Sequence, residues 1–185
     1  MTILSSKKYN LLTSISLSML KSYFAISFVL ITSLLYSQGG VHTYRNPVIS
    51  GDFPDPTVIR GANDYYACGT TSDFAPCYTL YHSSDLINWS EIGSVFNEPP
   101  KWTKGDFWAP ELFYQNETYY VYYTARRASD NVSCIGVATT KDITKGFEDH
   151  GIIVEWGKEA IDAFVFRDSD NKLYISWKAY GLDNR

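Results

Sequence analysis

The feature that most constrains the fold is an internal repeat. Three times the chain passes through a short apolar segment, a polar turn and a second segment rich in aromatic and β-branched residues. Thr57-Val-Ile59 leads through Gly61-Ala-Asn-Asp64 into Asp64-Tyr-Tyr-Ala-Cys68. Leu112-Phe-Tyr114 leads through Gln115-Asn-Glu117 into Thr118-Tyr-Tyr-Val-Tyr-Tyr-Thr124. Phe164-Val-Phe166 leads through Asp168-Ser-Asp-Asn171 into Lys172-Leu-Tyr-Ile-Ser-Trp177. Residues of this kind on either side of turn formers predict β-hairpins. A second pair of segments repeats as well: Ser83-Ser-Asp-Leu-Ile-Asn-Trp89 matches Thr139-Thr-Lys-Asp-Ile-Thr144 followed by Phe147. A period of about fifty residues, with four strands in each, is the mark of a β-propeller blade.

The repeat carries chemistry. Aligned on their turns, Asp55, Glu111 and Asp162 fall at one position, the start of the strand that lines the channel of a propeller. Carboxylates gathered around one opening raise one another's pKa values and can divide acid and base roles. They also suit a second role, hydrating the channel or binding an ion. Asp55 is singled out by a proline on each side, Pro54 and Pro56. Prolines fix their own φ and bias the preceding residue toward extended backbone, so a stiff mount is expected for this carboxylate, whether as a catalytic group or as a rigid turn. Lys101-Trp-Thr-Lys-Gly-Asp-Phe-Trp-Ala-Pro-Glu111 reads as a loop that brings Phe107 and Trp108 to the opening beside Glu111. Flat rings beside carboxylates fit a sugar, whose CH faces stack while its hydroxyls hydrogen-bond; the other use for Trp108 is packing between blades.

These residues resemble glycoside hydrolase family 43. The resemblance runs from about Tyr44 to Arg185. It rests on Asn46-Pro-Val with Phe53-Pro-Asp-Pro56, on Trp108-Ala-Pro-Glu111, on Ile161-Asp162 with Phe166-Arg-Asp-Ser-Asp170, and on Trp177-Lys178. It implies an all-β, five-bladed β-propeller, of which this chain covers roughly the first two and a half blades. It implies an inverting glycosidase acting on arabinose- or xylose-containing plant-type polysaccharides. By the same resemblance Asp55 is the general base that activates water and Asp162 the carboxylate that orients the acid and keeps its pKa raised. Trp108 and Glu111, with Phe107 beside them, belong to the substrate pocket. Ala163 departs from the family, which usually has proline after this aspartate. The family's general acid is a glutamate of a later blade that has no match here, so the 185 residues alone are expected to be inactive and prone to aggregate at their open sheet edges. No cofactor is implied; the family leaves room for an ion at the channel centre, for which His42, His82 and His150, read as surface residues, are not placed. A sugar-binding propeller without turnover is the alternative function, and a relative of the sucrose- and fructan-cleaving propellers a third.

Composition and short patterns matter at five points. Tyr, Phe and Trp make up 16% of the chain, which suits strands and sugar-stacking surfaces. A net charge of -4 offers no basic footprint for nucleic acid. The uncharged run Tyr23–Tyr36, after Lys21, is short for a membrane span and is built like the apolar part of a secretory signal; residues 1–38 are read as a signal peptide with a start at Met1 or Met19, and the protein as secreted or periplasmic with no stable membrane partner. Cys68, Cys77 and Cys134 lack metal-ligand spacing and read as buried small residues, with a Cys68–Cys77 bridge as the minority option. Asn88, Asn116 and Asn131 stand in Asn-x-Ser/Thr triplets.

Overall fold

The computed structural model describes residues 19–28 and 43–180. The chain divides into two compact units, 1–43 and 44–185. In the first, residues 19–28 form a helix with exposed side chains. No helix among the described residues is long and apolar enough to cross a membrane. The rest of the segment read as a signal peptide lies outside the described residues.

The second unit is all-β. Strands β1 (Thr57–Arg60), β2 (Tyr65–Cys68), β3 (Cys77–Ser83) and β4 (Ser90–Phe96) make one four-stranded antiparallel sheet in sequence order. Strands β5 (Thr103–Gln115), β6 (Thr118–Arg127), β7 (Ser133–Thr140) and β8 (Glu148–Val154) pair in the same way. The hairpin of β9 (Glu159–Arg167) and β10 (Leu173–Tyr180) joins the second sheet through one parallel pairing, Ser133 opposite Glu159. The three predicted hairpins are therefore present. They open two complete four-stranded units and a third of which two strands are described.

Local chemistry explains the hairpins. Asn116 and Glu117 both have left-handed φ, +50° and +57°, as a two-residue loop needs to match the twist of its strands. In the third hairpin the Asp168 carboxylate accepts from the backbone N–H groups of Asp170 and Lys172, both at 3.0 Å. Gly61, in the first turn, is required by space: a Cβ there would meet the Tyr119 hydroxyl at 2.5 Å. Along β6, Tyr119, Val121 and Tyr123 point into the core while Tyr120 and Tyr122 stack with each other on the other face.

The main core lies between the first two sheets. Tyr78, Leu80, Val95 and Phe96 of the first pack with Phe107, Leu112, Val121 and Tyr123 of the second. A smaller cluster of Ile135, Ala160 and Ala163 binds the third hairpin to the second sheet. The outer faces of the array stay apolar and uncovered: Val58 is 51% exposed at one end, and Phe164, Phe166 and Tyr174 stack in a row at the other. The Cys68–Cys77 bridge is not formed. All three cysteines are free and buried, and the register that sets Cys68 opposite Leu80 carries Cys77 down the strand to pair with Phe96.

Candidate active site

The first strands of the three units, β1, β5 and β9, lie side by side and are tied by side chains to one another's backbone. Leu112 N–H donates to Thr57 Oγ1 at 3.2 Å, and the Thr57 hydroxyl donates to Glu111 Oε2 at 3.0 Å. The other oxygen, Glu111 Oε1, accepts from Val165 N–H at 3.3 Å. Glu111 thus spans three strands. Burial raises its pKa above the ordinary 4.5, and these two bonds offset that only in part.

Strand pairing corrects the alignment of the carboxylates. Thr57 faces Cys68, Glu111 faces Tyr122 and Phe164 faces Ser176, so Glu111 matches Thr57 rather than Asp55. The backbone agrees: Asp55, Ala109 and Asp162 share left-handed φ values of +48°, +31° and +57°. Ala109 is the counterpart of the two aspartates, and Glu111 sits two residues further along its strand. Alignment on the turns misplaces it because the β5–β6 loop is shorter and that hairpin has an extra pair, Gln115 with Thr118. The expected extended backbone at Asp55 is also overturned. Left-handed φ costs a non-glycine residue about 1–3 kcal/mol, aspartate being among those that tolerate it best, and neighbouring bonds hold it there.

Those bonds aim the carboxylate. Thr70 Oγ1 accepts from Ala109 N–H at 2.7 Å and lies 2.7 Å from Asp55 Oδ2. A backbone N–H can only donate, so the single hydroxyl proton of Thr70 is available to Asp55, which receives it as an acceptor. Thr70 N–H in turn donates to Pro54 O at 2.9 Å, fixing the strand just before Asp55. The next unit repeats the tie: Asp162 N–H donates to Thr124 Oγ1 at 3.2 Å. Lys178 Nζ stands 3.7 Å from Asp162 Oδ2. Both aspartates are exposed. Tyr78, buried beneath them, donates its hydroxyl to Thr124 O at 2.7 Å and also reaches Trp108 O at 3.3 Å, linking the two threonine ties through the core.

The aromatic pair divides. Trp108 is half-buried, with the Arg126 guanidinium 5.6 Å from its ring centroid. Phe107 is not at the opening: it is 2% exposed and meets Tyr78 edge-on at 5.8 Å. Its N–H donates to Ser72 O, and its carbonyl accepts from Thr71 and Ser72, so the backbone clamps it against the first sheet. Sequence reading also passed over Thr70, Thr124 and Arg126. The signal for the threonines was their shared offset, each five residues after the first tyrosine of a Tyr-Tyr pair, Tyr65 and Tyr119; for Arg126 there was none. Among the described residues no group of three or more His, Cys, Asp or Glu side chains could hold a metal ion.

Residues 44–185 match the family model of "Glycosyl hydrolases family 43". The chain belongs to glycosyl hydrolase family 43. Among family 43 relatives, the extracellular exo-α-(1→5)-L-arabinofuranosidase ArbA of Cellvibrio japonicus is 28% identical over 148 residues, covering 70% of this chain and 41% of that protein. The extracellular endo-α-(1→5)-L-arabinanase 1 of Bacillus subtilis is 30% identical over 139 residues, covering 69% of this chain and 42% of that protein. The solved structure of the family 43 protein BlXynB from Bacillus licheniformis superposes with a TM-score of 0.64 at 29% identity, over 74% of this chain and 29% of that one. The chain spans less than half the length of these family 43 relatives.

Proposed function

We propose that these strands are the first part of a secreted, inverting family 43 glycosidase that cleaves α-L-arabinofuranosidic or β-D-xylosidic bonds in plant-type polysaccharides. The observation that carries the reading is the mounting of Asp55: an exposed carboxylate on a left-handed strand start, receiving the Thr70 hydroxyl as an acceptor should. An acceptor carboxylate is what a general base must be, and Asp55 takes the proton of the attacking water. Asp162, at the equivalent place of the third unit, orients the acid. The acid itself comes from a later blade, about 6.5–9.5 Å from the base, leaving room for water between base and sugar. Trp108 is the stacking surface. The uncovered faces of Val58 and of Phe164 with Phe166 are where further blades complete a ring of five. Export fits the uncharged run Tyr23–Tyr36 and the extracellular relatives.

The test uses a protein extended with the remaining blades and an aryl arabinofuranoside or xyloside. Asp55→Ala is expected to cut kcat by about 10²–10⁴-fold, the usual contribution of a general base. Full activity in that variant would sink the assignment. Saturable oligosaccharide binding without released reducing ends would turn it toward a binding module.

A further inference from the structure

Arg126 meets Trp108 under conditions that its backbone position alone does not require. The β5–β6 ladder shifts register three times between Thr103 and Glu111, and Asp106 and Ala109 both have left-handed φ, so strand pairing holds Trp108 only through its place opposite Thr124. The Arg126 side chain supplies what the ladder lacks. Its Nε donates to Asp106 Oδ2, its Nη1 donates to Asn131 O at 2.8 Å and to Glu159 Oε1 at 3.4 Å, and its Cζ lies over the Trp108 ring, 5.6 Å from the centroid. The three charged side chains are only 20–30% exposed. A guanidinium is suited to this double duty, because its face stacks on an indole while its edge donates in plane to carboxylates and a carbonyl; an ammonium cannot do both. Glu159 begins β9, just ahead of Asp162, and pairs with Ser133 of β7.

We propose that Arg126 is the positioning residue of the sugar platform: it fixes the Trp108 indole and couples it to the strand that carries Asp162, so that a pentose-containing oligosaccharide stacks on a ring held in register with the carboxylate. The inference rests on the carbohydrate reading of this site. With one face under the guanidinium, the indole offers the sugar the other.

The experiment uses the full 185-residue chain with 15N-labelled tryptophan, the Trp108 indole signal being assigned by Trp108→Phe. Arg126→Met is expected to shift and broaden that signal while leaving the Trp102 signal in place, since the Trp102 indole is held by Tyr123. Arg126→Lys restores it only in part. Affinity for an arabino- or xylo-oligosaccharide falls by roughly fivefold in Arg126→Met, the scale of one cation–π contact. An unchanged Trp108 signal in the folded Arg126→Met chain, or complete restoration by Arg126→Lys, overturns the proposal. If Arg126→Met fails to fold, Glu159→Ala decides: it leaves the arginine in place and removes the acceptor that ties it to β9, and the Trp108 signal must still move. The affinity arm uses the protein extended with the remaining blades; if that protein binds neither sugar the carbohydrate reading fails, while the indole signals of the 185-residue chain continue to judge the role of Arg126.

Discussion

Glu111 gives the sharpest test of the corrected register, because as a structural link it should respond to substitution and to pH in a way that a free pocket acid would not. Glu111→Leu removes the acceptor of both the Thr57 hydroxyl and the Val165 N–H, on residues that are each 8% exposed. An orphaned buried donor costs about 1–3 kcal/mol, so the two cost about 2–6 kcal/mol. The added apolar surface returns about 1–2 kcal/mol at a half-buried site. The expected net loss is therefore about 0–5 kcal/mol, with a midpoint of roughly 2.5 kcal/mol that is a large part of a typical domain's stability. Glu111→Gln keeps an acceptor for Val165 and turns its amide toward Thr57 Oγ1, sacrificing about one bond, roughly 0.5–1.5 kcal/mol. The pH dependence separates burial from bonding. Because burial raises the pKa of Glu111, the folded chain holds this proton more tightly than the unfolded one. Its stabilising share is complete below the ordinary value of 4.5 and is lost as pH rises through the raised value. Urea unfolding followed by tryptophan fluorescence between pH 4 and 8 should show the lead of wild type over Glu111→Gln shrinking as pH rises, at unchanged m-value. A lead that grows with pH would mean the two hydrogen bonds outweigh desolvation and would refute the reasoning.

Two further outcomes follow from the core. The Tyr123 hydroxyl donates to Asp149 Oδ1 at 2.6 Å and accepts from Trp102 Nε1 at 3.2 Å, so Tyr123→Phe strands the indole N–H and should cost about 1–3 kcal/mol in the same urea assay; a loss below about 0.5 kcal/mol would count against that network. Burial pushes the Cys77 thiol up to about 11 and Cys68 and Cys134 also upward, so none of the three should react with a disulfide reagent at neutral pH in the folded chain and all three should react in urea; one fast native thiol would contradict their placement.

The parts of this fold that depend on local pattern were legible in the sequence. Alternation such as Tyr119-Tyr-Val-Tyr-Tyr123 specifies a strand with one buried face, and turn residues such as Asn116 specify where it reverses; hence all three hairpins and the equivalence of Asp55 with Asp162 could be read. What failed were inferences that needed a level along the strand. Glu111 was shifted by a difference in loop length. Phe107 was turned outward because the stretch before Glu111 is irregular, so alternation no longer says which ring enters the core. Thr70 and Arg126 were silent because their partners, Asp55 with Ala109 and Trp108 with Glu159, come together only when sheets and distant strands pack.

The threonine ties show why mounting and chemistry cannot be separated freely in this site. Thr57, Thr70 and Thr124 each accept a backbone N–H from the first strand of the following unit, at Leu112, Ala109 and Asp162. Two of them pass their own proton on to a carboxylate, Thr57 to Glu111 and Thr70 to Asp55. One hydroxyl thereby joins two sheets and aims an acid, using both its donor and its acceptor capacity. Substituting Thr70 would loosen the contact between sheets and release Asp55 together, and a loss of activity could not be assigned to either. Substituting Asp55 leaves Thr70 holding Ala109, with water able to replace the lost acceptor at an exposed position. The carboxylate and not the threonine is therefore the place to separate the reaction from the scaffold.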